Sequence, residues 1–215
     1  MKEYVVLGDE AVALGAIHAG ISLAYAYPGT PSTEIMEYLV CYSKNNINLK
    51  AFWTANEKTA YEEVLGASLV GLRSITSMKH VGLNVGADPF VNSAIVDING
   101  GVLVAVADDP GMHSSQNEQD SRFYADFAKI LCFEPSDPQE CYDMSYEAFD
   151  LSEKFKIPVM IRLVTRLSHS RSVIKTKQPC IPKAVNIPKN IFEGWTLLPQ
   201  NAKKLWSKLI ALQQE

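Results

Sequence analysis

The chain has 215 residues, of which 47% are hydrophobic and 20% are charged, and this balance is typical of a globular protein with a buried core. Its formal net charge is −4 and its lysines and arginines form no cluster, which argues against nucleic acid as the main partner. The sequence starts with no basic signal region and has no apolar run of about 18 residues, so neither export nor membrane insertion is predicted.

Short apolar runs alternate with helical patterns from residue 4 to about residue 165. This alternation predicts an α/β fold in three layers, a mostly parallel sheet with helices on both faces. The predicted strands span residues 4–7, 21–27, 49–53, 73–78, 101–107, 131–133 and 158–165. The predicted helices span residues 9–19, 31–41, 55–70, 83–95 with an interruption at Pro89, 120–128 and 136–155.

Local signals indicate where several helices begin and end. Gly20 stands where a left-handed residue would stop the first helix. Thr30 followed by Pro31 indicates an N-cap and a first helical residue. Ser136 with Gln139 matches the capping-box pattern, in which each side chain satisfies a backbone N–H at the start of the helix.

The character of the chain changes after Arg166, where prolines interrupt any regular element. We therefore expect one α/β domain over residues 1–170, followed by a linker and a C-terminal helical arm over residues 171–215. The last predicted helix, residues 201–214, has an apolar stripe that needs a surface on this domain or on another polypeptide. The stripe consists of Leu205, Trp206, Leu209 and Ile210.

The cysteines indicate a reducing environment. Their spacing matches no zinc or iron–sulfur pattern, so we expect free structural thiols and a cytoplasmic location. The four residues are Cys41, Cys132, Cys141 and Cys180.

Polar segments follow the ends of several predicted strands. They are residues 28–33 (PGTPST), 54–60 (TANEKTA), 79–84 (KHVGLN) and 107–122 (ADDPGMHSSQNEQDSR). If the strands are parallel, all four segments meet at one edge of the sheet, where ligands bind in folds of this kind. The last of them has far more hydrogen-bonding groups than a turn requires.

Glu57 is the carboxylate of greatest interest in these segments, because it begins a helix at the carboxyl end of a strand. One interpretation is structural, with Thr54 and Glu57 forming a capping box. The other is a partly buried glutamate that exchanges one proton in a cleft. Elsewhere, Gly8 and Gly15 lack the spacing of a dinucleotide-binding turn, so no nucleotide site is predicted there.

His80 and His113 lie in two of the polar segments and could bind a substrate or carry a proton near neutral pH. Neither has a second histidine or cysteine at ligand spacing, so no metal site is predicted. Arg122 could bind a carboxylate through both guanidinium nitrogens, or it could pair with Asp120 or Asp126. The residues alone do not decide between these two roles.

Several long motifs, in order, resemble one family. The segments YPGTPSTEI, WTANEKTAYEEVLGASLVGLRS, TSMKHVGLNVGADPF, VADDPGMHSSQNEQDSRFYADFAKI and EPSDPQECYDMSYEAFDLSEKFKIPVMIR together resemble the N-terminal part of the alpha subunit of indolepyruvate:ferredoxin oxidoreductases. The resemblance covers residues 4 to about 170, and the tail GWTLLPQNAKKLW is similar to the segment that follows. In these thiamine diphosphate enzymes, this part is the pyrimidine-binding domain.

The resemblance implies roles for individual residues. Glu57 matches the glutamate that hydrogen-bonds the aminopyrimidine ring of thiamine diphosphate and promotes the tautomer that activates the cofactor. Thr30 falls in a loop that resembles a substrate-contacting loop of the family. His80, His113 and Arg122 fall in matching motifs, and their roles are inferred from charge and position. We expect Thr30, His80 and Asn84 to contact the cofactor, and Thr30, His113 and Arg122 to contact the 2-oxoacid.

The family's reaction implies partners that this chain does not contain. Oxidative decarboxylation of a 2-oxoacid to an acyl-coenzyme A passes electrons to ferredoxin through iron–sulfur clusters. The pyrophosphate-binding domain with its magnesium motif, the cluster motifs and a beta subunit are all expected elsewhere, on another chain or on domains beyond these residues. We therefore expect this chain to hold half of an active site and to be inactive alone.

Two other interpretations stay open at this point. The chain could be a catalytically silent homologue that acts as an interaction subunit, or it could belong to another thiamine diphosphate 2-oxoacid enzyme. The presence of Glu57 favours a catalytic component, and the KHVGLN and SSQNEQDSR segments resemble the oxidoreductases rather than a non-oxidative decarboxylase.

Overall fold

The computed structural model describes residues 2–214 and contains eight strands and ten helices in that range. The strands are β1 (Glu3–Leu7), β2 (Leu23–Ala26), β3 (Lys50–Trp53), β4 (Ser74–Lys79), β5 (Val102–Asp108), β6 (Leu131–Phe133), β7 (Val159–Val164) and β8 (Arg171–Lys175). The helices are α1 (Gly8–His18), α2 (Thr33–Ser43), α3 (Glu57–Leu69), α4 (His80–Val85), α5 (Ala87–Ser93), α6 (Arg122–Ala128), α7 (Pro138–Phe155), α8 (Thr165–Ser168), α9 (Ile191–Trp195) and α10 (Pro199–Leu212).

Six strands form one parallel sheet in the order β3-β2-β4-β5-β7-β6. Its central strand, β5, is buried along its whole length, as its unbroken apolar sequence predicts. Successive side chains of β5 face opposite sides of the sheet, because a strand repeats every two residues. Leu103 and Ala105 belong to the core that contains the buried residues of α1, α2 and α7, whereas Val104 and Val106 join those of α3, α4, α5 and α6. The predicted three-layer α/β fold is confirmed.

The first strand does not belong to this sheet. β1 pairs instead with β8 in an antiparallel ribbon, from Glu3 opposite Lys175 to Leu7 opposite Arg171. β8 lies within the segment predicted to be a linker. It was missed because only Ile174 of its five residues is buried, so the sequence has no apolar run to indicate a strand.

The predicted start of the second helix is wrong. α2 begins at Thr33 rather than at Pro31, because residues 29–33 form a turn in which the Ser32 hydroxyl donates to the Gly29 carbonyl at 2.8 Å. The Thr30–Pro31 peptide bond is cis.

The predicted capping box of Ser136 and Gln139 does not form either. The N-cap of α7 is Asp137, whose carboxylate accepts from the Glu140 backbone N–H at 2.9 Å. Pro138 directly follows the cap, and a proline is tolerated there because the first N–H groups of a helix need no partner within it.

The segment predicted as one helix over residues 83–95 forms two helices, α4 and α5, which meet at Gly86. Pro89 lies in the first turn of α5, where its missing N–H costs no hydrogen bond. At the end of α1, Gly20 has a φ of 80°, which confirms the predicted left-handed stop.

The C-terminal helix docks on the chain's own domain. Leu205 and Leu209 of α10 are 7% and 3% exposed, and Leu209 joins the core beneath α3 and α5. The other two residues of the predicted stripe, Trp206 and Ile210, remain 47% and 40% exposed. Over residues 2–214, no helix combines the length and apolar character that a bilayer crossing requires.

Candidate functional site

Four polar segments meet at one edge of the sheet, as predicted. The adjacent strands β3, β2, β4 and β5 all run in the same direction, so the segments that follow them lie side by side. Residues 28–33, 54–60, 79–84 and 107–122 are called the rim below.

Glu57 is the first residue of α3, and it does not cap that helix. The cap is Asn56, whose side-chain oxygen accepts from the Thr59 backbone N–H at 2.9 Å. Thr54 donates its hydroxyl to the Asn56 carbonyl at 2.8 Å, so the expected capping box of Thr54 and Glu57 is wrong. The Glu57 side chain is half-buried, and within residues 2–214 it accepts no hydrogen bond. The carboxylate is therefore free to accept one from a ligand.

The Glu57 carboxylate lies directly against Gly82 in α4. A Cβ atom built on Gly82 would be 2.4 Å from Oε1 of Glu57 and 2.8 Å from its Cγ. These distances are shorter than van der Waals contact, so the carboxylate can occupy this position only because residue 82 has no side chain. The glycine of the KHVGLN motif thereby sets the place of the glutamate.

His80 supports the loop over residues 107–122 rather than facing solvent. The ring is completely buried, and its Nε2 lies 3.0 Å from the Asn117 carbonyl oxygen. Because a carbonyl only accepts, Nε2 carries a proton in this contact. The buried Nδ1 has no hydrogen-bond partner among the described residues.

The other predicted contact residues are exposed along the rim. Thr30 and His113 both face solvent. Asn84 is exposed as well, and its side-chain oxygen accepts from the Tyr124 hydroxyl at 2.6 Å, which links α4 to α6. The structure thus brings Thr30, Asn84 and Glu57 to the same edge of the sheet, with His113 on the neighbouring loop.

Arg122 is held by carboxylates of this chain. Its guanidinium donates to both oxygens of Asp120, at 2.6 Å and 2.8 Å in the shortest contacts, and also lies 3.3 Å from Glu134. The hydrogen bonds from Arg122 lower the pKa of Asp120 to about 2. Of the two roles that the sequence left open, the structure shows the ion pair with Asp120.

Two buried aspartates at the end of β5 organise the rim, and the sequence reading assigned no role to either of them. Asp108 accepts from Arg162 at 2.7 Å and from the Ser121 backbone at 3.1 Å. Asp109 accepts from the Ser115 hydroxyl at 2.6 Å and the Thr165 hydroxyl at 2.7 Å. Adjacent acidic residues directly after an apolar strand are a detectable signal for such an anchor, because a buried carboxylate must find donors.

The hydrogen bonds to Asp109 determine its protonation state. Burial alone would raise the pKa of this carboxyl, but the donors Ser115, Ser114 and Thr165 outweigh burial and hold the pKa well below its usual range. Asp109 is therefore an anion that ties residues 113–115 to the sheet. Among the described residues, no cluster of three or more histidine, cysteine or acidic side chains has an arrangement that could hold a metal ion.

The sequence also contained no indication of a role for Lys79. It is the last residue of β4 and is only 9% exposed, and its ammonium donates to the Ser114 carbonyl at 2.7 Å. Its Cβ lies 3.2 Å from the Cβ position built on Gly29, so the side chain passes beneath residues 28–33.

Comparisons with known proteins identify the family of the chain. The family described as pyruvate flavodoxin/ferredoxin oxidoreductase, thiamine diphosphate-binding, matches residues 14–190. The chain is 50% identical over 177 residues to the indolepyruvate oxidoreductase subunit IorA of Archaeoglobus fulgidus, covering 81% of this chain and 28% of the relative. It is 40% identical over 210 residues to subunit IorA of Methanothermobacter thermautotrophicus, covering 98% of this chain and 34% of the relative.

A solved structure shows the same fold. The 2-oxoglutarate:ferredoxin oxidoreductase from Magnetococcus marinus, with 2-oxoglutarate, coenzyme A and succinyl-CoA bound, superposes with a TM-score of 0.79 at 20% identity. The superposition covers 99% of this chain and 44% of that one. The chain thus spans about a third of the length of its IorA relatives. With its family match over most of its length, the chain belongs to the thiamine diphosphate-binding family of pyruvate flavodoxin/ferredoxin oxidoreductases.

Proposed function

We propose that the chain is the pyrimidine-binding component of a thiamine diphosphate dependent complex that oxidises arylpyruvates such as indolepyruvate. The complex would convert a 2-oxoacid and coenzyme A to an acyl-coenzyme A and carbon dioxide, with two electrons passed to ferredoxin. The names of the IorA relatives support this substrate class. The observation that carries the proposal is the Glu57 carboxylate, which stands unpartnered on Gly82 at the ligand-binding edge of the sheet.

The rim fits one half of thiamine diphosphate. A free carboxylate acceptor, Glu57, suits a flat ring that has hydrogen-bond donors on its edge. When bound, thiamine diphosphate supplies the nucleophilic carbon that attacks the keto group of the substrate. Activation of the cofactor moves a proton at one nitrogen of the pyrimidine ring, and Glu57 would hold that proton. Asn84 would bound the cleft on one side, and the loop that His80 supports would bound it on the other.

The remaining rim residues would line the route by which the substrate enters the cleft. Thr30 and His113 are exposed there, in positions that an entering 2-oxoacid would pass. Arg122 could contact a substrate carboxylate only by releasing Asp120. Its role in substrate binding therefore requires a rearrangement of that ion pair.

The rest of the reaction would belong to other parts of the complex. Because the chain spans about a third of its relatives' length, we expect a pyrophosphate-binding domain with Mg²⁺, iron–sulfur clusters and a beta subunit outside residues 1–215. We propose residues 1–170 as the cofactor domain and the residues after it as a linker and arm. All four cysteines are free thiols, which supports a cytoplasmic location.

The test is Glu57→Gln in the complex reconstituted with its missing domains, assayed by 2-oxoacid-dependent ferredoxin reduction. Loss of a proton interaction in the transition state predicts a rate decrease of more than about a hundredfold, or about 3 kcal/mol. Glu63→Gln is the matched control, since Glu63 is an exposed glutamate on the same helix. A silent interaction subunit would lose no activity in either variant. Turnover by the isolated chain would contradict the proposed division of the active site.

A further inference from the structure

Three long cationic side chains are buried in this fold, and two of them are fully neutralised. Arg73 pairs with Glu153 and Asp150, and Arg162 pairs with Asp108 and Glu134. The third is Lys79, at 9% exposure, and no carboxylate of the described residues forms an ion pair with it. Lys79 is thus a largely buried cation without a counter-ion, an arrangement that an anionic ligand beside it would stabilise.

Lys79 lies at the centre of the rim. Its side chain passes Gly29, its ammonium reaches the loop at Ser114, and the next residues form α4, whose Gly82 contacts Glu57. One N–H of the ammonium donates to the Ser114 carbonyl, and an ammonium has three. The two remaining N–H groups have no hydrogen-bond partner among the described residues.

The other candidates for an anion-binding group in the rim already have partners in this chain. Arg122 is exposed and bound to Asp120 and Glu134. His80 donates from Nε2 to the Asn117 carbonyl. The Asp109 carboxylate accepts from Ser114, Ser115 and Thr165 rather than from Lys79.

We propose that the Lys79 ammonium binds the carboxylate of the 2-oxoacid substrate. This inference rests on the proposed function and names the residue that recognises the acid group. Lys79 would hold the carboxylate in the ground state. The attraction would fade as the carboxylate leaves as neutral carbon dioxide, so the contact adds to substrate affinity rather than to the chemical step.

The test uses Lys79→Gln in the reconstituted complex, since glutamine keeps a donor for the Ser114 carbonyl and removes the charge. We expect the KM for the 2-oxoacid to rise about 10- to 100-fold, the effect of losing a charge-assisted hydrogen bond, with kcat within about twofold of wild type. Lys79→Arg should recover most of the affinity. Lys44→Gln is the matched control, because Lys44 is an exposed lysine at the end of α2, outside the rim.

A pair of inhibitors isolates the charge itself. 3-Phenylpropionate and its neutral amide have the same shape, so wild type should bind the anion more tightly and Lys79→Gln should bind the two about equally. If Lys79→Gln does not assemble into the complex, Lys79→Met allows the same comparison of the two inhibitors.

Each other outcome overturns the inference. An unchanged KM and an unchanged inhibitor preference show that Lys79 does not meet the carboxylate. A raised KM for coenzyme A, or weaker thiamine diphosphate binding, shows that the anion is a phosphate group. A fall in kcat at constant KM shows that Lys79 only positions the loop. If the wild-type complex oxidises no 2-oxoacid, the proposed function fails and this inference fails with it.

Discussion

The carboxylate of Glu57 occupies the space that a side chain at Gly82 would need, with Oε1 only 2.4 Å from the Cβ position of an alanine there. Glu57 begins α3 and Gly82 lies in α4, so the two residues belong to different segments of the rim. The glycine therefore determines where the proposed activating carboxylate stands, although it has no chemistry of its own.

Gly82→Ala should disable the site without unfolding the chain. The nearest atoms to the added Cβ, Cγ, Cδ and Oε1, all belong to the half-buried side chain of Glu57, so a change of its rotamer relieves the clash at little cost in the free energy of unfolding. A displaced catalytic group costs about a hundredfold in rate. Ferredoxin reduction by the reconstituted complex, together with thermal unfolding of the variant, measures both effects.

Gly66→Ala is the matched control for that variant. Gly66 lies in α3, and a Cβ built there meets no atom within 4 Å. The substitution should raise the free energy of unfolding by about 0.5–1 kcal/mol through helix propensity and leave activity unchanged. Equal activity in the Gly66 and Gly82 variants would show that Gly82 does not position Glu57.

Asp109→Asn should destabilise the domain in a pH-dependent way. The folded state lowers the pKa of Asp109, so its contribution to stability is fully present above the unfolded pKa, about 3.9, and is lost as the pH falls toward the folded value. Replacing the charged acceptor should cost about 2 kcal/mol at pH 7. Urea unfolding of wild type and variant at pH 7 and pH 3 should show the difference shrinking in acid, and a constant difference would refute this assignment.

Arg162 and Arg122 both contact Glu134 but differ in burial, at 10% and 53% side-chain exposure, so they form a natural comparison. Arg162→Met should lower the free energy of unfolding by about 3–5 kcal/mol, because it leaves the buried Asp108 without its cation. Arg122→Met should leave stability close to wild type, since solvent screens that pair. Denaturant unfolding of both variants checks this order, and similar losses would contradict it.

Asp9→Asn should stabilise the chain, and more so as the pH rises. Asp9 is completely buried in α1, neither oxygen has a hydrogen-bond partner among the described residues, and burial raises its pKa well above the usual value, an effect that nearby Ser168 only partly offsets. A carboxyl whose pKa is higher in the folded state than in the unfolded state stabilises the fold at pH values below its unfolded pKa. This contribution is lost as the pH rises through the folded pKa. Asparagine does not titrate and so avoids that loss.

The neighbouring residue provides the control for Asp9. Glu10 accepts from the Leu7 backbone N–H at 2.7 Å, so Glu10→Gln should lose stability where Asp9→Asn gains it. Unfolding free energies at pH 5 and pH 8 separate the two. A loss of stability in Asp9→Asn at pH 8 would show that the Asp9 carboxyl has a stabilising partner.

The sequence predicted the parallel sheet and the convergence of the rim because both depend on local patterns. Apolar runs mark buried strands, and polar segments after them must share one edge when the strands are parallel. The order of the strands and the β1–β8 ribbon depend on pairing between distant residues, which no local pattern encodes.

The candidate site was predictable only in part, for the same reason. Glu57 stood out through its position and its motif, but the contact with Gly82 joins separate helices. Thr54 and Glu57 have the spacing of a capping box, but the Asn56 side chain caps the helix instead. Lys79 begins one of the predicted polar segments, but its burial and its lack of a carboxylate partner depend on contacts between distant segments.

The β1–β8 ribbon has a consequence for the order in which the fold can close. β1 is made early in synthesis, but its pairing partner ends at Lys175, and α7, which packs on α1, is also made late. Until β8 has been synthesised, neither edge of β1 has a partner, and an unpaired strand can pair with another chain. A polypeptide released before residue 171 would therefore aggregate through β1 more readily than a chain that includes β8.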